Sequence, residues 1–168
     1  GTSVIGVIDY VVKEQARVRL ITDSELTPSV RVLRYTHDGE SKIPIYLAKG
    51  EIFGSGKQLW RKQKRELTGI GFNYDFPDDR GPARNLLTGK KNDDSVESPS
   101  MTIVQAKDLL VTTGLDGVFP PDLPIAKVIK VHPLKEGDYY YELEAMPIFE
   151  NLDDLSLVFV IPPVGYHE

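Results

Sequence analysis

Apolar and polar positions alternate along this chain at the two-residue period of a half-buried β-strand, and no stretch of about ten to twelve residues repeats at helical spacing. Residues 4–12 form one β-favouring run and residues 17–21 a second, with Val18 and Leu20 on one face and Arg17 and Arg19 on the other. The polar turn at 13–16 makes them a hairpin. Residues 29–35 alternate again, Val30 and Val32 opposing Arg31 and Leu33. Asp38-Gly39 is a hairpin turn signal. It leads to a strand over 43–48, where Pro44 predicts an edge or a bulge. Further strands are expected over 66–72 and 101–105.

Residues 109–112 and 125–131 are two β runs around a loop that holds Gly114, Gly117, Pro120, Pro121 and Pro124. The glycines accept positive φ and the prolines remove backbone donors, so a helix cannot cross this interval. The clearest alternation is at 138–146, with Tyr139, Tyr141, Leu143 and Ala145 on one face. A connection at 132–137 closes a hairpin between this strand and 125–131. Residues 149–155 are read as one helical turn, and 155–161 as a final, fully apolar strand stopped by Pro162-Pro163. Short strands separated by Gly and Pro turns predict an all-β barrel or sandwich with little helix.

A length of 168 residues suits one domain with a core, or two small ones sharing an interface. The net charge of −5 argues against a nucleic-acid partner held by phosphate neutralisation. Without cysteine there is no disulfide, thiolate nucleophile or cysteine metal site. The apolar run at 155–164 is too short to span a bilayer, so any membrane attachment is expected through a segment outside this sequence, which opens Gly-Thr-Ser without an initiating Met.

Candidate chemistry is sparse. Residues 50–57 suggest a phosphate loop, but five residues separate Gly50 from Gly56 and Gln58 stands where Ser or Thr should hold Mg²⁺, so the interval is read as a turn. The histidines are His37, His132 and His167, and no serine sits in a nucleophile elbow, Ser55 included. A β-barrel hydrolase built on His37 or His132 stays open, because triad members meet in space. Asp75, Asp78, Asp79, Asp93 and Asp94 lack calcium-loop spacing. No catalytic, cofactor or metal residue is therefore assigned. The polar tract 89–99 is expected to be an exposed, mobile loop. The basic cluster at 61–65 follows Trp60 and is read as a charged face. Phe72, Tyr74 and Phe76 alternate onto one strand face, either core or the centre of an interface. A cell-wall carbohydrate module, stacking sugars on Trp60, Tyr74 and Tyr140, is the other alternative.

The loop carries the most specific signal. Residues 108–128, with Val111-Thr112-Thr113-Gly114-Leu115-Asp116-Gly117-Val118-Phe119-Pro120 at their centre, resemble the signature of the bacterial rod shape-determining protein MreC family, approximately Gly-Asp-x-Val-Val-Thr-Ser-Gly-Leu-x-Gly-x-Phe-Pro. Ile5-Gly6-Val7-Ile8, residues 17–23 and residues 147–155 are similar to other segments of that family, and 39–99 match it weakly. Lys107 stands where the pattern has Gly before Asp108, Thr113 replaces Ser, and Ala126 replaces Gly.

The resemblance implies two small β-barrels, one inserted in the other: residues 1–115 as the inserted barrel with an elaborated 50–99 loop region, and 116–168 as strands of the other, whose first strands lie outside this sequence. It implies a periplasmic or extracytoplasmic, membrane-anchored scaffold of the cell-elongation machinery. Partners would be further copies, MreD, RodZ and the elongation penicillin-binding protein. Exposed edges and aromatics would form the partner surface, expected at Trp60, Phe72, Tyr74, Phe76 and Phe119, with Gly114 and Gly117 shaping the turn.

Overall fold

The computed structural model describes residues 2–38, 41–55, 66–73, 80–81, 84–85, 101–149, 152–153 and 155–163. Its elements are β1 (Gly6–Val12), β2 (Gln15–Leu20), β3 (Ser29–Asp38), β4 (Ser41–Gly54), β5 (Leu67–Asn73), β6 (Arg80–Gly81), β7 (Arg84–Asn85), β8 (Met101–Thr102), β9 (Leu109–Thr112), β10 (Pro124–Val131) and β11 (Tyr141–Pro147). No helix is assigned among the described residues, in keeping with the missing helical period.

Six strands close a barrel in the order β3, β9, β10, β11, β5, β4, and β4 returns to pair with β3. All of these pairings are antiparallel. Closure pairs each strand with two neighbours and so removes most of the free edge that is the usual liability of a β-sheet. β7 adds to β4, while β1–β2 and β6–β8 are separate two-stranded sheets. The barrel takes strands from both sides of residue 115, because β9 and β10 pair across the loop in which that boundary was expected.

The alternation places the core as the pattern requires. Val30 and Val32 of β3, Leu143 and Ala145 of β11, and Ile125 and Val128 of β10 are all buried in one cluster. Phe72 is seated between two glycines of the wall. A Cβ at Gly50 would lie 2.8 Å from Phe72 Cδ2, and one at Gly69 would lie 2.8 Å from its Cε2. Glycine at both positions makes room for the ring, whose burial contributes roughly 1.5–3 kcal/mol.

Several expectations are corrected. The interval from Gly50 to Gly54 is strand and not turn, because β4 runs on for 14 residues and pairs with β3 and β5. Of the edge or bulge expected at Pro44, the edge is found: Pro44 stands opposite Tyr35 and has no partner on its other side among the described residues, while the register shift lies farther along, where Arg31 and Leu33 face Lys49 and Tyr46. β11 starts at Tyr141, after the expected 138, since Asp138 is tied into a turn. Its N–H donates to Lys135 O at 3.0 Å and its carboxylate accepts from Lys135 N at 2.9 Å. Residues 155–161 have no ladder partner among the described residues, so the final strand is not formed; its apolar side chains face outward. Of the expected helical turn at 149–155, Leu155 N–H donates to Leu152 O in a single turn. The tract 89–99 lies outside the described residues.

Candidate interaction surface

The loop between β9 and β10 is stitched down residue by residue. Thr112, fully buried, donates its hydroxyl to Pro120 O at 2.5 Å and accepts from Leu123 N at 3.0 Å. The Asp116 carboxylate accepts from Val118 N, Phe119 N and, across the chain, Ser29 N, at 2.9, 3.1 and 3.0 Å. Thr113 adds a 2.7 Å bond from its hydroxyl to Ser29 Oγ, so Thr in place of the pattern's Ser keeps the donor. Gly114 and Gly117 have φ of 78° and 69°, which non-glycine residues rarely adopt. Phe119 turns inward to the core, and Leu115 is left exposed on this fixed frame.

The β1–β2 hairpin is anchored at its base and free beyond it. Val4 N–H donates to Pro124 O at 2.9 Å and Ile21 N–H to Ile5 O at 3.0 Å, with Val4 and Ile21 in the core. Along the hairpin Ile8 faces Val18 and Tyr10 faces Arg17, so Asp9 is the extra residue of a bulge. Its carboxylate accepts from Arg17 Nε at 2.9 Å and from Arg19 Nη2 at 3.1 Å. The Arg17 guanidinium, with Arg19 beside it, holds the Asp9 carboxyl below its ordinary value; Asp9 raises Arg17 in return. Asp9, Arg17 and Arg19 are thereby paired with one another. The hairpin's apolar side chains are open to solvent: Tyr10, Val11 and Val18 are 56, 69 and 47% exposed.

Residues 155–163 present a second apolar surface. Leu157, Phe159 and Val160 are 71, 75 and 72% exposed, and no charged residue lies between Leu155 and Ile161. A run of this length, uncharged and rich in β-branched residues, has the composition of a buried strand, yet it lies in solvent here.

A small polar recess opens where β10 and β11 leave the barrel, lined by Ser55, Glu66, Thr68, His132, Glu142 and Glu144. His132 Nε2 lies 3.0 Å from Glu144 Oε1, and the His132 N–H donates to Glu142 O at 2.9 Å. This is a base with an orienting carboxylate, but no hydrogen bond joins Ser55 to His132, as nucleophilic catalysis would require.

The sequence-derived positions fall as follows. Phe72 and Phe119 are core residues with 0 and 5% of their surface exposed, so neither offers a face to a partner. Trp60, Tyr74, Phe76 and the 61–65 cluster lie outside the described residues, as do Asp75, Asp78, Asp79, Asp93, Asp94 and His167. Among the described residues, the longest runs of exposed apolar side chains are instead those of the hairpin and of 155–161. Both runs were legible as β-forming, but a strand's own residues do not reveal whether a partner strand covers it.

Residues 1–162 match the family described as rod shape-determining protein MreC, barrel core. The crystal structure of MreC from Pseudomonas aeruginosa is similar to this chain, with a TM-score of 0.52 and 20% identity over 87% of the chain. A second solved chain, named MreC, gives the same three figures. This chain covers 66% of the first and 58% of the second, under two thirds of each. At that identity the likeness concerns the fold alone. No curated protein sequence matched. The family match spans nearly the whole sequence and includes the stitched loop and every barrel strand, and on that ground the chain belongs to the rod shape-determining protein MreC family.

Proposed function

We propose that this chain is a non-enzymatic scaffold of the bacterial cell-elongation machinery. It acts in peptidoglycan synthesis, outside the cytoplasmic membrane, through self-association and contacts with MreD, RodZ and the elongation penicillin-binding protein. In the full-length protein it is membrane-anchored, on the periplasmic or extracytoplasmic side. The observation that carries this reading is the distribution of apolar side chains: the barrel strands bury a continuous core and expose only scattered ones such as Tyr35, Ile43 and Ile129, while the hairpin and residues 155–161 leave whole runs of theirs in solvent. Exposed apolar surface of that extent marks an interaction site.

In the same reading β1–β2 and residues 155–163 are strands of a second small barrel, into which the closed barrel is inserted. Their places in the sequence support this, since the hairpin precedes all six barrel strands and 155–163 follow them.

The test is binding of the purified chain to the extracytoplasmic part of the elongation penicillin-binding protein, measured by interferometry. Binding that is lost on Leu157→Asp is expected. Unchanged binding by that variant, or none by the parent chain, contradicts the proposal.

A further inference from the structure

We infer that the loop between β9 and β10 is a clamp on the joint between the barrel and the segments outside it, and that Asp116 is the positioning residue that fixes the direction of the β1–β2 hairpin. The clamp aims the hairpin whatever partner its apolar surface meets, and so goes beyond the scaffold reading above.

The described chain passes between these parts three times: at residues 2–5 before β1, at 21–28 between β2 and β3, and from Ile148 onward after β11. All three crossings are tied to the loop or to the residues that close it. Val4 N–H donates to Pro124 O at 2.9 Å, and Ile148 N–H donates to the next carbonyl, Ile125 O, at 3.2 Å. Ser29, where the second crossing enters β3, is held from the loop's other end. Its N–H donates to Asp116 Oδ2 at 3.0 Å, and its carbonyl accepts from Thr113 N at 3.0 Å. Beneath these bonds Val4, Ile21 and Phe119 lie in the core, and Leu26, Leu123 and Phe149 pack against it.

Units joined by chain alone move against one another unless a contact between them prevents it. The loop can prevent it because it is itself fixed to the barrel wall, through the buried Thr112 hydroxyl and through Phe119 in the core. Asp116 joins that fixed frame to the chain arriving from the hairpin. Its Oδ1 accepts from Val118 N and Phe119 N inside the loop, while its Oδ2 accepts from Ser29 N across it. A carboxylate has two acceptor oxygens for these two tasks, and a carboxamide has one. Asp116 falls at a position that the family pattern leaves open, so this tie belongs to the chain and not to the signature. β4 holds the same crossing farther upstream, through Gly54 N–H to Asp23 O at 3.3 Å and Ile52 N–H to Pro28 O at 3.2 Å. Loss of the Asp116 tie therefore loosens the hairpin's direction and leaves the hairpin attached.

The test is a pair of spin labels read by pulsed electron paramagnetic resonance on the whole chain, which has no cysteine of its own to compete for the label. Lys13→Cys at the hairpin tip with Ile129→Cys on β10 reports the joint, and Glu51→Cys on β4 with Ile129→Cys reports the barrel alone. All three positions are exposed. With the loop intact, the joint pair is expected to give one narrow distance distribution. Asp116→Asn is expected to broaden it and to leave the barrel pair unchanged, and Thr113→Val, which loses only hydroxyl bonds, to broaden it less. A joint pair that is already broad with the loop intact, or that stays equally narrow in both variants, overturns the proposal. Equal broadening of the barrel pair overturns it too, since the loop would then hold the barrel's own wall and not the joint. Should Asp116→Asn fail to fold, Thr113→Val decides alone by the same two pairs.

Discussion

Arg34 of β3 grips the Asp108 carboxylate at the start of β9 through two parallel bonds, Nε to Oδ1 at 2.8 Å and Nη2 to Oδ2 at 2.6 Å. The same carboxylate accepts from Gln105 N at 2.8 Å, and Arg34 Nη1 reaches Thr102 O at 3.0 Å. Asp108 is 3% exposed, so these bonds replace its water almost completely. Asp108→Ala leaves a largely buried guanidinium without its counter-charge and is expected to cost about 3 kcal/mol, measured by urea denaturation. Replacing both partners, Arg34→Met with Asp108→Leu, is expected to cost less than Asp108→Ala alone, since no charge is left unpaired.

Lys107 has a φ of 77°, at the position before Asp108 where the family pattern carries Gly. A left-handed backbone costs an L residue about 1–2 kcal/mol, and glycine gives back roughly 0.5–1 kcal/mol of it as chain entropy. Lys107→Gly is therefore expected to stabilise the chain by about 0.5–1 kcal/mol, a rise of roughly 1–4 °C in thermal midpoint by calorimetry.

Gly114 and Gly117 differ in what surrounds them. A Cβ at Gly114 would lie 3.3 Å from Pro121 Cδ and 3.4 Å from its Cβ, whereas one at Gly117 meets nothing within 4 Å. Gly117→Ala bears the cost of positive φ alone, about 1 kcal/mol. Gly114→Val adds a β-branched side chain against the proline ring, and its loss in chemical denaturation is expected to exceed 2 kcal/mol, roughly.

Asp9 makes the hairpin sensitive to acid. Arg17 first, and then Arg19, depress its folded-state pKa below the unfolded value of 3.8, so its contribution is complete above that value and is lost as pH falls through the folded one. The stability difference between the parent and Asp9→Asn is expected to be present at pH 6 and to vanish toward the acid limit of the titration. Because the group is solvated, the difference should be small and should shrink with added salt. A difference that persists in strong acid would assign it to something other than the ion pair.

Much of the barrel was legible because its strands bury one face. Val30 with Val32, and Leu143 with Ala145, alternate in the sequence and lie in the core as that pattern demands. The loop was legible for a different reason: Gly114 and Gly117 supply the positive φ that a tight turn needs, and three prolines bar helix and ladder. What was not legible depends on partners distant in the chain. Arg34 and Asp108 are 74 residues apart, and nothing in either one's local sequence names the other as its partner. The length of β4 follows from pairing on both sides, which Gly50 taken alone argues against. Residues 155–161 have the composition of a core strand, and only the missing ladder shows that their surface is open. For Phe72 the alternatives of core or interface were settled by Gly50 and Gly69, which leave space for its ring.

The role of the exposed apolar run at 155–161 is tested most directly by light scattering after size exclusion, across a concentration series, on the parent chain and on Phe159→Asp. The parent is expected to rise from the 18.8 kDa of one chain toward twice that mass as concentration increases, and Phe159→Asp to stay at 18.8 kDa throughout. A parent chain that holds the mass of a single copy at every concentration would contradict self-association through this surface.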